Sequence, residues 1–122
     1  MTLHQIADLL VNYRRFVERA VANKIVWVLL RANGRDAWVE SNHFADEAYA
    51  KRLAVGEWAD ASPRQLPLEG YLEVLPRLPG LVMPNPNGDF AGVEVEPEDL
   101  FNALTAAMEG REPDFCYARQ ED

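Results

Sequence analysis

The stretch that most constrains this chain runs from Ile25 to Glu40. Ile25-Val26-Trp27-Val28-Leu29-Leu30 is apolar throughout, Asn33-Gly34 follows, and Asp36-Ala37-Trp38-Val39-Glu40 returns. Asn-Gly between two β-prone runs is the strongest short-range hairpin signal, because both central residues of the tight mirror-image turn need positive φ. The first run has the composition of a central strand covered on both faces, while the second alternates and belongs nearer an edge or rim. With Asn33 and Gly34 as the loop, Arg31 falls opposite Asp36, Trp38 opposite Leu29, and Trp27 and Trp38 share a face. Such cross-strand pairs contribute a few tenths to about 1 kcal/mol each, so the register is specified locally.

The flanking chain supplies the layers that cover this hairpin. Leu3, Ile6, Leu10, Tyr13, Val17 and Ala20 recur at helical spacing from Thr2 to Val21, with Leu9, Phe16 and Val21 widening the stripe. His4, Asp8, Asn12, Arg15, Glu18 and Arg19 fall on the other side, which reads as a solvated outer face. Asp46 is placed to cap a helix from Glu47 to about Val55, with Gly56 as its stop. Trp58 is expected to fold back on the core or to cap the hairpin end. Pro63 limits Ser62 to Pro67 to a short edge strand, and Leu68, Tyr71, Leu72 and Leu75 mark a helix that Pro76 ends. Leu81-Val82-Met83 and Phe90 to Glu96 read as a second strand pair around a turn rich in Asn and Pro. Pro97-Glu98-Asp99 opens a last helix with Leu100, Phe101, Leu104 and Met108 facing in.

This order, α-β-β-α-(β)-α-β-β-α, predicts an α+β fold: a mainly antiparallel sheet of four or five strands with helices packed on it. Residues 1–110 form the domain in this reading, and residues 111–122 a charged tail whose Phe115-Cys116-Tyr117 either docks an extra strand or is a loose end, docking being favoured because clustered aromatics are uncommon on a monomer's surface. A chain of 122 residues with 48% hydrophobic content buries a core without cross-links. The lone Cys116 permits no internal disulfide and suits a reducing, cytoplasmic setting. No run is long enough for a membrane span. A net charge of −8 with scattered basic residues disfavours nucleic acid as a partner.

Few residues are equipped for chemistry. Cys116, His4 and His43 have no metal-ligand spacing, and Asn85, Asn87 and Asp89 lack the glycine and distal Glu of a calcium loop. No phosphate-cradling loop is present, so no cofactor or metal is expected. The best catalytic constellation is a corner of Ser41, His43 and Asp46, where a strand end could project a hydroxyl and an imidazole to one side. Capping roles explain Ser41 and Asp46 equally well, and no nucleophile-elbow pattern surrounds them.

Val26-Trp27, Gly34, Trp38, the run Phe44-Ala45-Asp46-Glu47-Ala48-Tyr49-Ala50 through Gly56-Glu57-Trp58, Leu66-Pro67-Leu68 and Gly92-Val93-Glu94-Val95-Glu96-Pro97 together resemble a small bacterial family known as domain of unknown function 2750. Gly80-Leu81-Val82, Asn85-Pro86 and Val95-Glu96-Pro97-Glu98 are more distantly similar to the enhanced-serine-sensitivity protein B family, from which Met83-Pro84 departs as an insertion. The resemblance implies a bacterial cytosolic α+β domain and brings no catalytic residue with it.

The functional expectation is a small non-catalytic binding or adaptor module. It acts on another protein, as a monomer or homodimer, through a surface that includes Trp27, Trp38, His43, Trp58, Asn85 and Pro86. The alternatives are a hydrolase-like enzyme at the Ser41/His43/Asp46 corner, or an acidic immunity-type inhibitor of a basic toxin.

Overall fold

A 21-residue helix, α1 (Leu3–Asn23), opens the fold. It is followed by β1 (Ile25–Arg31), β2 (Asn42–His43), α2 (Glu47–Leu53), β3 (Ala61–Pro67), α3 (Leu68–Val74) with a 3-10 turn at Leu75–Arg77, β4 (Met83–Pro84) and α4 (Pro97–Met108). The structure is a computed structural model and describes residues 3–31, 42–56, 59–86 and 92–118. The Asn33-Gly34 turn with its return strand, Ser41, Trp38 and Trp58 lie outside the described residues.

Helix α1 buries Leu9, Tyr13, Phe16, Val17 and Ala20, the three- and four-residue recurrence of one helical face. Lys24 stops it in a left-handed conformation at φ 59°, and the chain turns into β1. This strand is covered on both faces, as its composition required. Val26 belongs to the main core with Tyr13, Phe16, Tyr71, Leu75, Leu100 and Leu104. Leu29 packs in a smaller cluster with Phe44, Ala50 and Leu53, which Trp27 and Tyr49 flank. Each fully buried Leu, Val or Phe contributes about 1.5–3 kcal/mol, so the two clusters are the main source of stability.

The β1 ladder among the described residues is with β3, antiparallel from Ile25 opposite Pro67 to Arg31 opposite Ala61. The Leu68 N–H donates to the Lys24 carbonyl at 2.9 Å, which fixes the hydrogen-bonded phase of the ladder. Pro63 and Pro67, opposite Leu29 and Ile25, therefore occupy the non-bonded phase, where a missing N–H costs no ladder bond. That is why β3 runs seven residues despite two prolines, longer than the short strand expected. On the other side of β1, Trp27 and Phe44 exchange backbone bonds of 2.7 and 2.9 Å.

The expected four- or five-stranded sheet is not seen. The described residues form two two-stranded ladders, β1 with β3 and β2 with β4, and the second is parallel. The physical cause is the chemistry beyond β4: Asn85 adopts a left-handed φ of 50° and stands between Pro84 and Pro86, so the extended run ends after two residues. Of the second expected strand pair, the described residues show a bridge in which Val82 and Val95 exchange bonds of 2.9 and 2.8 Å, while Phe90 lies outside them.

Helix α4 starts at Pro97 with Glu98 and Asp99 in its first turn, where acidic side chains complement the helix dipole. It ends in a Schellman cap: Gly110 has φ 74°, its N–H reaches the Ala107 carbonyl, and the Arg111 N–H reaches Ala106. Leu100 and Leu104 are buried as the periodicity predicted and Phe101 packs half-buried against the core, but Met108 is exposed. It follows Ala106, the last buried position of α4, by two residues and points away from the core, and with Val21, Lys24, Pro67 and Leu68 it lines a shallow cleft. Beyond α4, Phe115 sets its ring edge-on to Tyr13 with Arg14 over its face, and the Ala118 N–H donates to the Glu94 carbonyl at 2.7 Å.

Candidate functional site

Two polar regions sit on either side of the segment from Asn42 to Asp46. The inner one is built around His43, whose side chain is fully buried. Its Nδ1 lies 2.6 Å from the Tyr71 hydroxyl, and the two rings meet edge to face. Burial pushes the Tyr71 hydroxyl well above its ordinary pKa, with the nearby Tyr13 hydroxyl adding to the effect. Tyr13 is raised as well, first by burial and then by the negative field of Asp99. Among the described residues the Tyr13 Oη and Asn42 Oδ1 are buried without a hydrogen-bond partner.

Asn85 ties this region to the surface. It is itself buried, its N–H donates to the His43 carbonyl at 2.8 Å, and its Oδ1 accepts the Ala45 N–H at 3.0 Å. A left-handed backbone is tolerated by asparagine better than by most residues, and the side-chain carbonyl then closes the turn. The Tyr49 hydroxyl donates to the Pro86 carbonyl, so α2 is pinned to the same loop.

The outer region is a groove of about 280 Å³ between α1 and α2, which Asn85 also lines. Asn12, Arg15 and Arg19 line it from α1, and Ala48, Tyr49 and Arg52 line it from α2, with Asp46 just before that helix. Arg15 and Arg19 are four residues apart and so stand one above the other on the helix face. Arg19 reaches across to the Asp46 carboxylate at 2.6 Å, and Arg52 lies over the Tyr49 ring at 5.3 Å from its centre. Burial raises the Tyr49 hydroxyl pKa, while Arg52 and Arg15 pull it down, so both guanidiniums are felt at that ring. Three arginines against one aspartate make this a positive site on a chain of net charge −8.

The residues singled out from sequence divide accordingly. Asn85 lines the groove but is there to hold the loop, and Pro86 is buried beside it with its carbonyl accepting from the Tyr49 hydroxyl. His43 is sealed in the interior and Trp27 flanks the smaller apolar cluster. Of the catalytic corner, His43 is engaged by Tyr71 and Asp46 by Arg19, while Ser41 lies outside the described residues. Asp46 occupies the N-cap position of α2 as expected but makes no side-chain capping bond, its carboxylate being turned to Arg19 instead. Arg15, Arg19, Arg52, Asn12 and Tyr49 were not singled out. The available signal was the stacking of two like charges at Arg15 and Arg19, which disfavours a helix by a few tenths of a kcal/mol unless something compensates.

Among the described residues no three His, Cys, Asp or Glu side chains converge as metal ligands, and no helix is long and apolar enough to cross a membrane. No curated protein and no solved structure matches the chain. The family model described as Protein of unknown function (DUF2750) matches residues 13–104, a stretch that contains all three groove arginines, and the chain belongs to that family.

Proposed function

We propose that this protein is a non-catalytic protein-binding module whose partner seats in the groove between α1 and α2. The observation that carries the reading is the gathering of Arg15, Arg19 and Arg52 around one open depression of a strongly acidic molecule. Among the described residues the ion pairs formed are Arg19–Asp46, Lys51–Glu47 and Arg111–Glu109, so Arg15 and Arg52 have no carboxylate partner among those residues. A small open groove fits a protruding side chain of a macromolecule better than a substrate that must be enclosed, since small-molecule sites bury most of their ligand. The histidine best suited to acid–base work has no access to solvent, which favours binding over bond-breaking. The lone Cys116 is exposed, and a reducing cytoplasm suits it.

The test is affinity purification from the native host with the wild-type chain and with Arg15→Gln/Arg52→Gln. A partner recovered in stoichiometric amount on the wild type and lost on the variant is expected. Equal recovery on both, with the variant folded, contradicts the reading.

A further inference from the structure

We propose that the α1–α2 groove is a carboxylate-binding site that takes an acidic segment of its partner, with Arg15 and Arg52 as the engaging groups and Arg19 restrained by Asp46. This inference rests on the protein-binding reading above and assigns its chemistry. Arg15 and Arg52 line the same groove from different helices, with Arg52 lying over the Tyr49 ring. Two such guanidiniums suit two separate monoanions along a peptide, each met by a planar fork of donors.

The negative groups present argue against a single dianion. Asp46 lines the groove and Glu47 occupies the first turn of α2, the position where a phosphate site would use free backbone amides and the positive end of a helix. The site therefore lacks the free helix N-terminus that a phosphate uses, and its guanidinium forks are left to meet carboxylates one by one. Asp46 also withdraws Arg19 from the incoming ligand through the 2.6 Å pair, whose side chains are 51% and 29% exposed. An exposed pair of this kind is weak and can be exchanged for a ligand carboxylate. Asp46 is thus a built-in competitor for the ligand. Removing its charge has a sign that a purely structural role does not share: it should tighten binding.

The probe is an acetylated and amidated peptide, Gly-Glu-Ser-Gly-Glu-Gly, titrated into the full chain while the arginine Nε–H signals are followed by NMR. Salt at about 0.15 M screens charges beyond about 8 Å, which removes the long-range repulsion of the acidic chain. Saturable shifts at Arg15 and Arg52 in the millimolar range are expected, together with no saturation by the same peptide carrying Gln for Glu. Arg15→Gln/Arg52→Gln should weaken binding roughly tenfold, and Asp46→Asn should strengthen it about threefold. Far-UV circular dichroism and a urea midpoint establish that each variant is folded.

Equal binding of the Gln peptide, unchanged affinity in the double arginine variant, or no tightening in Asp46→Asn overturns the proposal. Saturation of the same signals by inorganic phosphate without binding of the Glu peptide also overturns it. If the Glu peptide fails while the arginine variant still loses its partner from the host, the carboxylate assignment falls and the protein-binding reading stands.

Discussion

His43 and Arg15 represent two polar regions on opposite sides of the same short stretch of chain. Around His43, the imidazole meets the Tyr71 hydroxyl in the interior, and the amides of Asn42 and Asn85 nearby are buried too. Around Arg15, three guanidiniums and a tyrosine line an open groove. The inner set is richer in reactive groups and closed; the outer set is chemically plain and reachable. The difference teaches that reactive residue type points to the core here, and that the working surface we propose rests on exposure and charge instead. Buried polar groups must find partners, and once found those partners stabilise the fold and are withdrawn from chemistry.

If that division is right, changes to the two regions should separate stability from binding. His43→Ala removes a buried ring and the Tyr71 contact, and the expected loss is about 2–4 kcal/mol by urea unfolding, with groove affinity unchanged in the folded fraction. A drop in affinity without a drop in stability would break the comparison.

The inner region should also govern the alkaline limb. Tyr13 and Tyr71 are raised above the ordinary tyrosine value, so above pH about 10 the unfolded chain sheds protons that the folded chain keeps. Their contribution is complete below pH about 10 and declines above it by roughly 1.4 kcal/mol per pH unit for each tyrosine. Urea midpoints between about pH 9 and 11 should show this slope, and Tyr71→Phe should reduce it.

Asn85 joins the two regions, so its substitution should disturb both. Asn85→Ala loses the Ala45 bond and places alanine at φ 50°, with an expected cost of about 1–3 kcal/mol in urea and altered groove signals by NMR. Asn85→Gly relieves the backbone part and separates the two terms. The smallest effect belongs to the outer region: Arg15→Gln should alter stability by less than about 0.5 kcal/mol, because it removes an exposed charge stacked on another. A larger loss would mean that Arg15 supports the fold rather than the groove.

The elements with a strong local period were legible in the sequence. The α1 face through Tyr13, Phe16 and Val17, the double-sided burial of β1, the α3 stop near Pro76 and the Pro97 start of α4 all follow from spacing and cap chemistry. What was not legible depended on distant partners. Nothing near Asn42 announces a parallel pairing with Met83, and nothing near Pro63 shows that its missing N–H falls in the non-bonded phase opposite Leu29. The site suffered for the same reason. Asn12, Arg15 and Arg19 look like an ordinary solvated face until α2 is laid beside them with Arg52 and Tyr49. His43 looked reactive because its burial against Tyr71, far along the chain, was invisible.

The central claim is that recognition belongs to the open arginine groove and structure to the sealed histidine region. The most direct test is a side-by-side titration of the Glu-containing peptide into Tyr71→Phe and Arg15→Gln/Arg52→Gln, with the urea stability of each measured on the same samples. The account predicts that Tyr71→Phe is less stable yet binds like the wild type, while the arginine variant is equally stable and binds roughly tenfold more weakly. Weakened binding in Tyr71→Phe with undiminished binding in the arginine variant would contradict it.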